Sequence, residues 1–216
     1  MSVRTDEAYG VPLHRSKTIR PRDVVIACFT GDNIVLSRAA ATWHSWLQRA
    51  IKAGFQVAII AQTARTAPFP VLGVGGGLAR TAVRGASFSS REGLLDSTFL
   101  GYAALAKHFP HAHWFLKVDD DTVVHLRHLW SALGVLVRTN GEHERNWLVG
   151  DCRHYCGGSA LLISRPTLVT LNLRSAKCKA FELSKGANHN IGSDTAIADC
   201  AMRRVGSTTA ALTTDH

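Results

Sequence analysis

The chain of 216 residues contains no apolar run approaching the ~18–20 residues of a membrane-spanning helix. No membrane span is expected in it. Its first stretch, MSVRTDEAYGVPLHRSKTIRPRD, is polar and lacks the apolar middle of a signal peptide. It has no block of five or more Lys/Arg and no stripe of interleaved basic and aromatic residues, so no nucleic-acid groove is expected. The excess of 25 Lys plus Arg over 16 Asp plus Glu, a net charge of +9, is scattered. It reads as a solvated basic face able to attract anions such as a nucleoside diphosphate. There is no internal repeat and no linker-like stretch. With 46% hydrophobic residues the chain can build a sizeable core. We read residues 1–22 as a flexible leader and 23–216 as one domain.

A dinucleotide fingerprint is also missing. GVGGG at 73–77 has the wrong spacing and bridges no clear strand and helix, so the Ala-, Gly-, Thr- and Pro-rich segment 62–88 reads as loop. Cysteine is sparse and odd in number: Cys28, Cys152, Cys156, Cys178 and Cys200. Cys28 lies inside VVIACF and reads as a small buried hydrophobe. The other four admit two disulfides, which would imply an oxidising compartment, or a zinc site with His154, for which their spacing is poor.

Periodicity supplies the elements. Val24–Phe29 reads as a strand, followed by a turn with capping residues at Thr30-Gly31-Asp32-Asn33. Val35, Ala39, Trp43, Trp46, Leu47 and Ala50 recur at helical spacing, Gly54 ends that helix, and Phe55–Ala61 is a second strand. Such a strand–helix–strand unit favours a parallel sheet with a nucleotide site at the strand ends. A capping box at Ser89–Glu92 starts a helix that Pro110 stops. A strand, a helix through Leu126–Val137, and strands at Asn146–Gly150 and Gly158–Ser164 follow. A helix with Pro166 in its first turn leads into a polar loop at 174–192, and Ser193 caps a final helix.

The most informative segment is WFLKVDDDTVVHL at 114–126. An apolar strand ends directly in Asp119, Asp120 and Asp121. Three like charges at one strand end raise each other's pKa unless a cation sits among them. A divalent metal with hard oxygen ligands, shared with a phosphate-bearing substrate, resolves this. Nucleotidyl and phosphoryl transferases also place acids there, and a metal-free acidic turn is the plain alternative. In YCGGSALLISRPTL (155–168) a Gly-Gly pair precedes a strand, either for close backbone approach to a ligand or simply for a turn. In IGSDTAIADC (191–200) Asp194 stands at a helix start, where a carboxylate is more often a cap than a base.

In this order the three segments resemble glycosyltransferase family 31, closest to the core 1 β1,3-galactosyltransferases and the Fringe-like β1,3-N-acetylglucosaminyltransferases. The likeness spans roughly residues 24–216 and includes Thr30-Gly31 and Ala41-Thr42-Trp43. It implies an α/β domain of GT-A type, with a mixed, mostly parallel sheet flanked by helices. It implies a metal-dependent hexosyltransferase that uses a UDP-sugar with manganese or another divalent cation, through a DxD motif. By position, Asp121 matches the metal-binding acid, and Asp119 and Asp120 match its neighbours facing ribose and metal. Asp194 matches the catalytic base, and His216 the metal-binding histidine, so that Asp119, Asp121 and His216 are the expected metal ligands. Thr30, Arg91, Gly157 and Gly158 are expected to line the donor site with Asp119 and Asp120. Lys117 is expected to make structural contacts only.

Cys178 and Cys200 match a disulfide of the core 1 enzymes. A glycoprotein or glycan acceptor, a homodimer, and a Golgi or ER lumen location follow from the same likeness. The chain departs from the family pattern at Cys156, at Gly-Gly-Ser-Ala, and at Ser193, where an acid is usual. The family continues beyond the position of residue 216, so a C-terminally truncated domain is expected. A non-catalytic, chaperone-like homologue is the competing class, although such a homologue lacks the acidic triplet.

Overall fold

The computed structural model describes residues 5–6, 11–12, 19–31, 35–62, 67–74, 91–140, 146–151, 157–184, 193–205 and 208–211. Apart from a two-stranded pairing of Thr5–Asp6 with Val11–Pro12, the described strands form one seven-stranded sheet. They are β1 (Val24–Phe29), β2 (Gln56–Ala61), β3 (Val71–Gly73), β4 (Trp114–Asp119), β5 (Trp147–Asp151), β6 (Gly157–Ser164) and β7 (Thr208–Ala211). The spatial order is β3-β2-β1-β4-β6-β5-β7. The first four run parallel, β6 is antiparallel to both β4 and β5, and β7 is parallel to β5. The sheet is therefore mixed and mostly parallel, as expected.

Continuous burial on both faces explains why β1 (VVIACF) and β4 (WFLKVD) read as unbroken apolar runs rather than alternating ones. Among the described residues, five helical stretches cover the sheet. α1 spans 35–52, π-wound at Val35–Ala39 and Trp43–Leu47 and α-wound at Ala40–Thr42 and Gln48–Lys52. α2 is Arg91–His108, α3 Leu126–Asn140, α4 Arg165–Ser184 and α5 Ser193–Cys200, the last running on into a π turn at Ala201–Val205. α1 and α3 pack on one face, with Trp46, Leu47, Leu129 and Leu133 set against Ile26, Leu116 and Val149. α2, α4 and α5 pack on the other, with Phe99, Tyr102, Leu171 and Ile197 against Ala27, Ile60, Phe115 and Leu161. Each fully buried Leu, Ile or Phe contributes roughly 1.5–3 kcal/mol, so the two cores are the main stabilising term.

Gly54 ends α1 with φ of 90°, a left-handed position that a side chain would strain. Cys178 and Cys200 are disulfide-bonded, as the resemblance implied, and tie α4 to the end of α5. Cys28 is a free, buried thiol. Cys152, Cys156 and His154 lie outside the described residues, as do 89–90 of the expected capping box and 32–33 of the expected turn.

Two expectations need correction. Residues 174–184 are helix, not loop: α4 runs to Ser184. RSAKCKAFELS has no Gly or Pro to stop it, and most of its polar residues face outward on a helix that buries Cys178 and Glu182. The 62–88 segment is not all loop either, because Val71–Gly73 adds a strand beside β2. β7 was likewise not foreseen. Its four residues become a strand only because Trp147–Gly150 supply a partner.

Candidate functional site

In open α/β sheets, ligands bind outside the carboxyl ends of the strands, where the strand order reverses. Here the chain steps from β1 outward to β2 and β3, then returns to place β4 on the other side of β1. The crevice between the ends of β1 and β4 is therefore the switch point. Phe29 pairs with Asp119 at its lip, so Thr30 and the acidic triplet leave the sheet side by side.

The three acids are not equivalent. Asp119 is the last residue of β4, with a side chain 44% exposed. Its Oδ1 accepts a hydrogen bond from Lys117 Nζ at 2.7 Å. Lys117 and Asp119 stand two residues apart on one face of the strand. The Lys117 side chain is only 3% exposed, so its charge requires this partner. Its ammonium also lies 5.4 Å from the centre of the Phe29 ring. Asp120 turns inward, its side chain 7% exposed. Thr30 Oγ1 donates to Asp120 Oδ2 at 2.5 Å. Asp121 is the open one, 69% exposed.

α1 braces this turn. Thr42 and Trp46 lie one helical turn apart on the same side of α1. Thr42 Oγ1 donates to the Asp120 carbonyl at 2.5 Å, and Trp46 Nε1 to the Thr122 carbonyl at 3.0 Å. The Thr122 N–H closes the turn on the Asp119 carbonyl at 3.1 Å. From the same helix, Arg38 holds Nη1 3.7 Å from Asp120 Oδ1 and 3.8 Å from Asp121 Oδ2. The repulsion expected of three adjacent acids is thus answered in part by two of the protein's own cations, Lys117 and Arg38. Neither was paired with the triplet on sequence grounds. Thr42 was legible only as part of the Ala41-Thr42-Trp43 resemblance, and Arg38 only as part of the scattered basic excess.

Burial and the negative charge of Asp120 and Asp119 push the Cys28 thiol, in β1 beneath this cluster, up to about 12. It is a neutral packing residue, not a nucleophile.

The other expected residues are placed by backbone. Val118 opposite Ala160 puts Gly157 and Gly158 just beyond, beside the triplet end of β4. Arg91 opens α2, and Asp194 stands in the first turn of α5; their side chains are outside the described residues. α2 fits closely over the strand ends. A Cβ on Gly101 would meet Phe29 Cε1, lie 2.8 Å from Phe29 Cζ and lie 3.1 Å from Ile60 Cγ2. β7 ends at Ala211 opposite Gly150, at the same edge of the sheet as Gly157, while His216 lies outside the described residues.

A metal fits the donor set. Asp121 offers an exposed hard carboxylate, and Asp119 a half-exposed one with a single oxygen bonded to Lys117. Among the described residues, no three His, Cys, Asp or Glu side chains converge on one point. One or two carboxylates suit a cation whose remaining ligands are water and substrate phosphate rather than a dedicated protein cage. A separate cavity of about 640 Å³ opens at the opposite, amino-terminal ends of β1, β2 and β4, lined by residues including Arg20, Asp23, Gln56, His113 and Arg165. Its polar groups are turned on the protein itself: Arg20 holds Asp23, Gln56 donates to the Arg22 carbonyl, and Arg165 donates to the carbonyls of Ala112 and Phe109.

No family model and no curated protein matches the sequence. Among solved structures, the chain is similar to one described as a glycosyltransferase involved in the glycosylation of the major capsid of PBCV-1. The TM-score is 0.53 at 10% sequence identity, and the match covers 87% of this chain and 81% of that one. At that identity the likeness shows the fold. The α/β domain expected, a mixed sheet flanked by helices in the GT-A manner, is the fold of a solved glycosyltransferase.

Proposed function

We propose that this chain is an inverting, metal-dependent glycosyltransferase that moves a hexose from a UDP-sugar to a sugar hydroxyl on a glycoprotein or glycan, in β1,3 linkage. One observation carries the reading: the Asp119–Asp121 turn stands at the switch point of a GT-A type sheet, next to Thr30 and held there by Thr42 and Trp46. The resemblance of the DDD, Gly-Gly and Ser-Asp segments to family 31 supplies the finer terms, with galactose favoured as the sugar. The Cys178–Cys200 disulfide accords with an oxidising compartment such as the Golgi or ER lumen.

In this reading Asp121 and Asp119 would hold a manganese ion, with His216 proposed as the third protein ligand. When bound, the cation neutralises charge on the diphosphate leaving group. Asp120 is the strut: its inward carboxylate and carbonyl fix the turn so that Asp121 faces outward. Gly157 and Gly158, lacking side chains, let the β6 backbone approach the donor, and Thr30 and Arg91 flank the uridine diphosphate. Asp194 takes the proton from the acceptor hydroxyl. The acceptor oxygen then bonds to the anomeric carbon as the bond to the diphosphate oxygen breaks on the opposite face. An α-linked donor thus gives a β-linked product and UDP.

The test is UDP release from a panel of UDP-sugars with manganese and glycan acceptors present. Release that requires both metal and acceptor is expected. Asp194→Asn should abolish transfer while sparing UDP binding. Full turnover in that variant, or no release from any UDP-sugar, would sink the proposal.

A further inference from the structure

We infer that Arg38, which spans Asp120 and Asp121, is a resident counter-ion that competes with the divalent cation for Asp121. It keeps cation affinity low until a diphosphate arrives. The inference rests on the donor-binding reading above. The guanidinium reaches 3.7 Å from one acid and 3.8 Å from the other, spanning the gap between the inward and outward carboxylates. Those distances are ion-pair range but too long for hydrogen bonds, so the group is attracted without being locked. The contrast with the other partners of the acidic triplet is sharp. Lys117 is buried and bonded at 2.7 Å, and Thr30 is bonded at 2.5 Å, whereas Arg38 is 58% exposed. It stands in the π-wound first turn of α1, on a long side chain with room to swing.

A cation joining Asp121 must share the acid with this positive charge or drive it aside. A diphosphate changes that balance. It brings negative charge that both the cation and a displaced guanidinium can pair with, and guanidinium suits phosphate oxygens. Cation and nucleotide should therefore bind with strong mutual dependence, and Arg38 is the residue that enforces it.

The experiment is calorimetric titration of the full chain with manganese chloride alone, and with UDP in the presence of manganese, for the wild type, Arg38→Gln and Arg38→Met. Both variants should bind manganese about two- to fivefold more tightly, the size expected for removing a partly exposed like charge. That gain should shrink as salt rises from ~0.05 to ~0.5 M, as the screening length shortens toward the separation of the pair. UDP affinity in manganese should fall in both. Manganese affinity that is unchanged or weaker in the variants overturns the inference. So does the absence of manganese binding in every protein, and UDP binding in EDTA would then show that the nucleotide site stands while its metal dependence does not. Tighter manganese binding in proteins that never bind UDP would uphold the competition and defeat the donor reading instead.

Discussion

Thr30→Val isolates one hydroxyl at the centre of the site. Valine has threonine's shape and the same liking for extended backbone, and the Thr30 N–H keeps its bond to the Ile60 carbonyl at 3.0 Å. What is lost is the donor to Asp120 Oδ2, on a carboxylate only 7% exposed. A hydrogen bond to a charged group contributes about 1.5–3 kcal/mol, and a buried acceptor left bare costs at the upper end of that range. Arg38 remains 3.7 Å from the other oxygen and offsets part of the loss. We expect a destabilisation of about 2 kcal/mol, or a fall in Tm of ~4–8 °C for a domain this size. Asp120→Asn keeps an acceptor for Thr30 but makes the bond neutral. Combining it with Thr30→Val should therefore reveal a coupling of about 1 kcal/mol. Urea denaturation in EDTA measures this as a shift in midpoint at constant m value. A Thr30→Val protein within about 0.5 kcal/mol of wild type would refute the view that Thr30 holds Asp120 inward.

Alkaline stability should report Cys28. Its folded pKa of about 12 lies above the ordinary 9.0, so the unfolded chain sheds that proton first. Stability should then fall by up to about 1.4 kcal/mol per pH unit as pH rises from 9 toward 12, and Cys28→Ala should flatten that slope in denaturation series. Reducing the Cys178–Cys200 bridge, or replacing both residues with Ala, should cost about 2–4 kcal/mol, read by thermal unfolding with and without reductant. Gly101→Ala forces the Phe29 ring to shift; about 1 kcal/mol of helix propensity is gained against about 1–3 of overpacking, so a small net loss in Tm with weakened UDP binding is expected. Asp121→Asn should remove manganese-dependent UDP binding yet leave Tm within about 2 °C, since an exposed acid contributes little to stability.

The strands β1, β2, β4 and β6 and helices α1, α2 and α3 were legible because apolar periodicity is carried by neighbours in the chain. So was the acidic turn, because three adjacent carboxylates after an apolar strand are anomalous on their own. The far half of α4 was misread from its polar composition, although its lack of Gly and Pro was the better signal. β3 and β7 were missed because strands of three and four residues have no period to detect. Their state is decided by the edges they pair with.

The pairings that make the acidic turn a site were the hardest to see. Thr30, Arg38, Thr42 and Trp46 lie 90, 82, 78 and 76 positions from their partners in the turn. Nothing in the local sequence announces such pairings. By itself the sequence determined the layer architecture, the position of the acids and the demand for positive charge among them. Tertiary structure alone decided that Asp120 turns inward, that Asp121 faces out, and that Lys117 and Arg38 meet part of that demand. The physical reason is range. Hydrophobic pattern acts along the chain, whereas charge compensation and hydrogen bonding depend on which distant side chains the fold brings within about 4 Å.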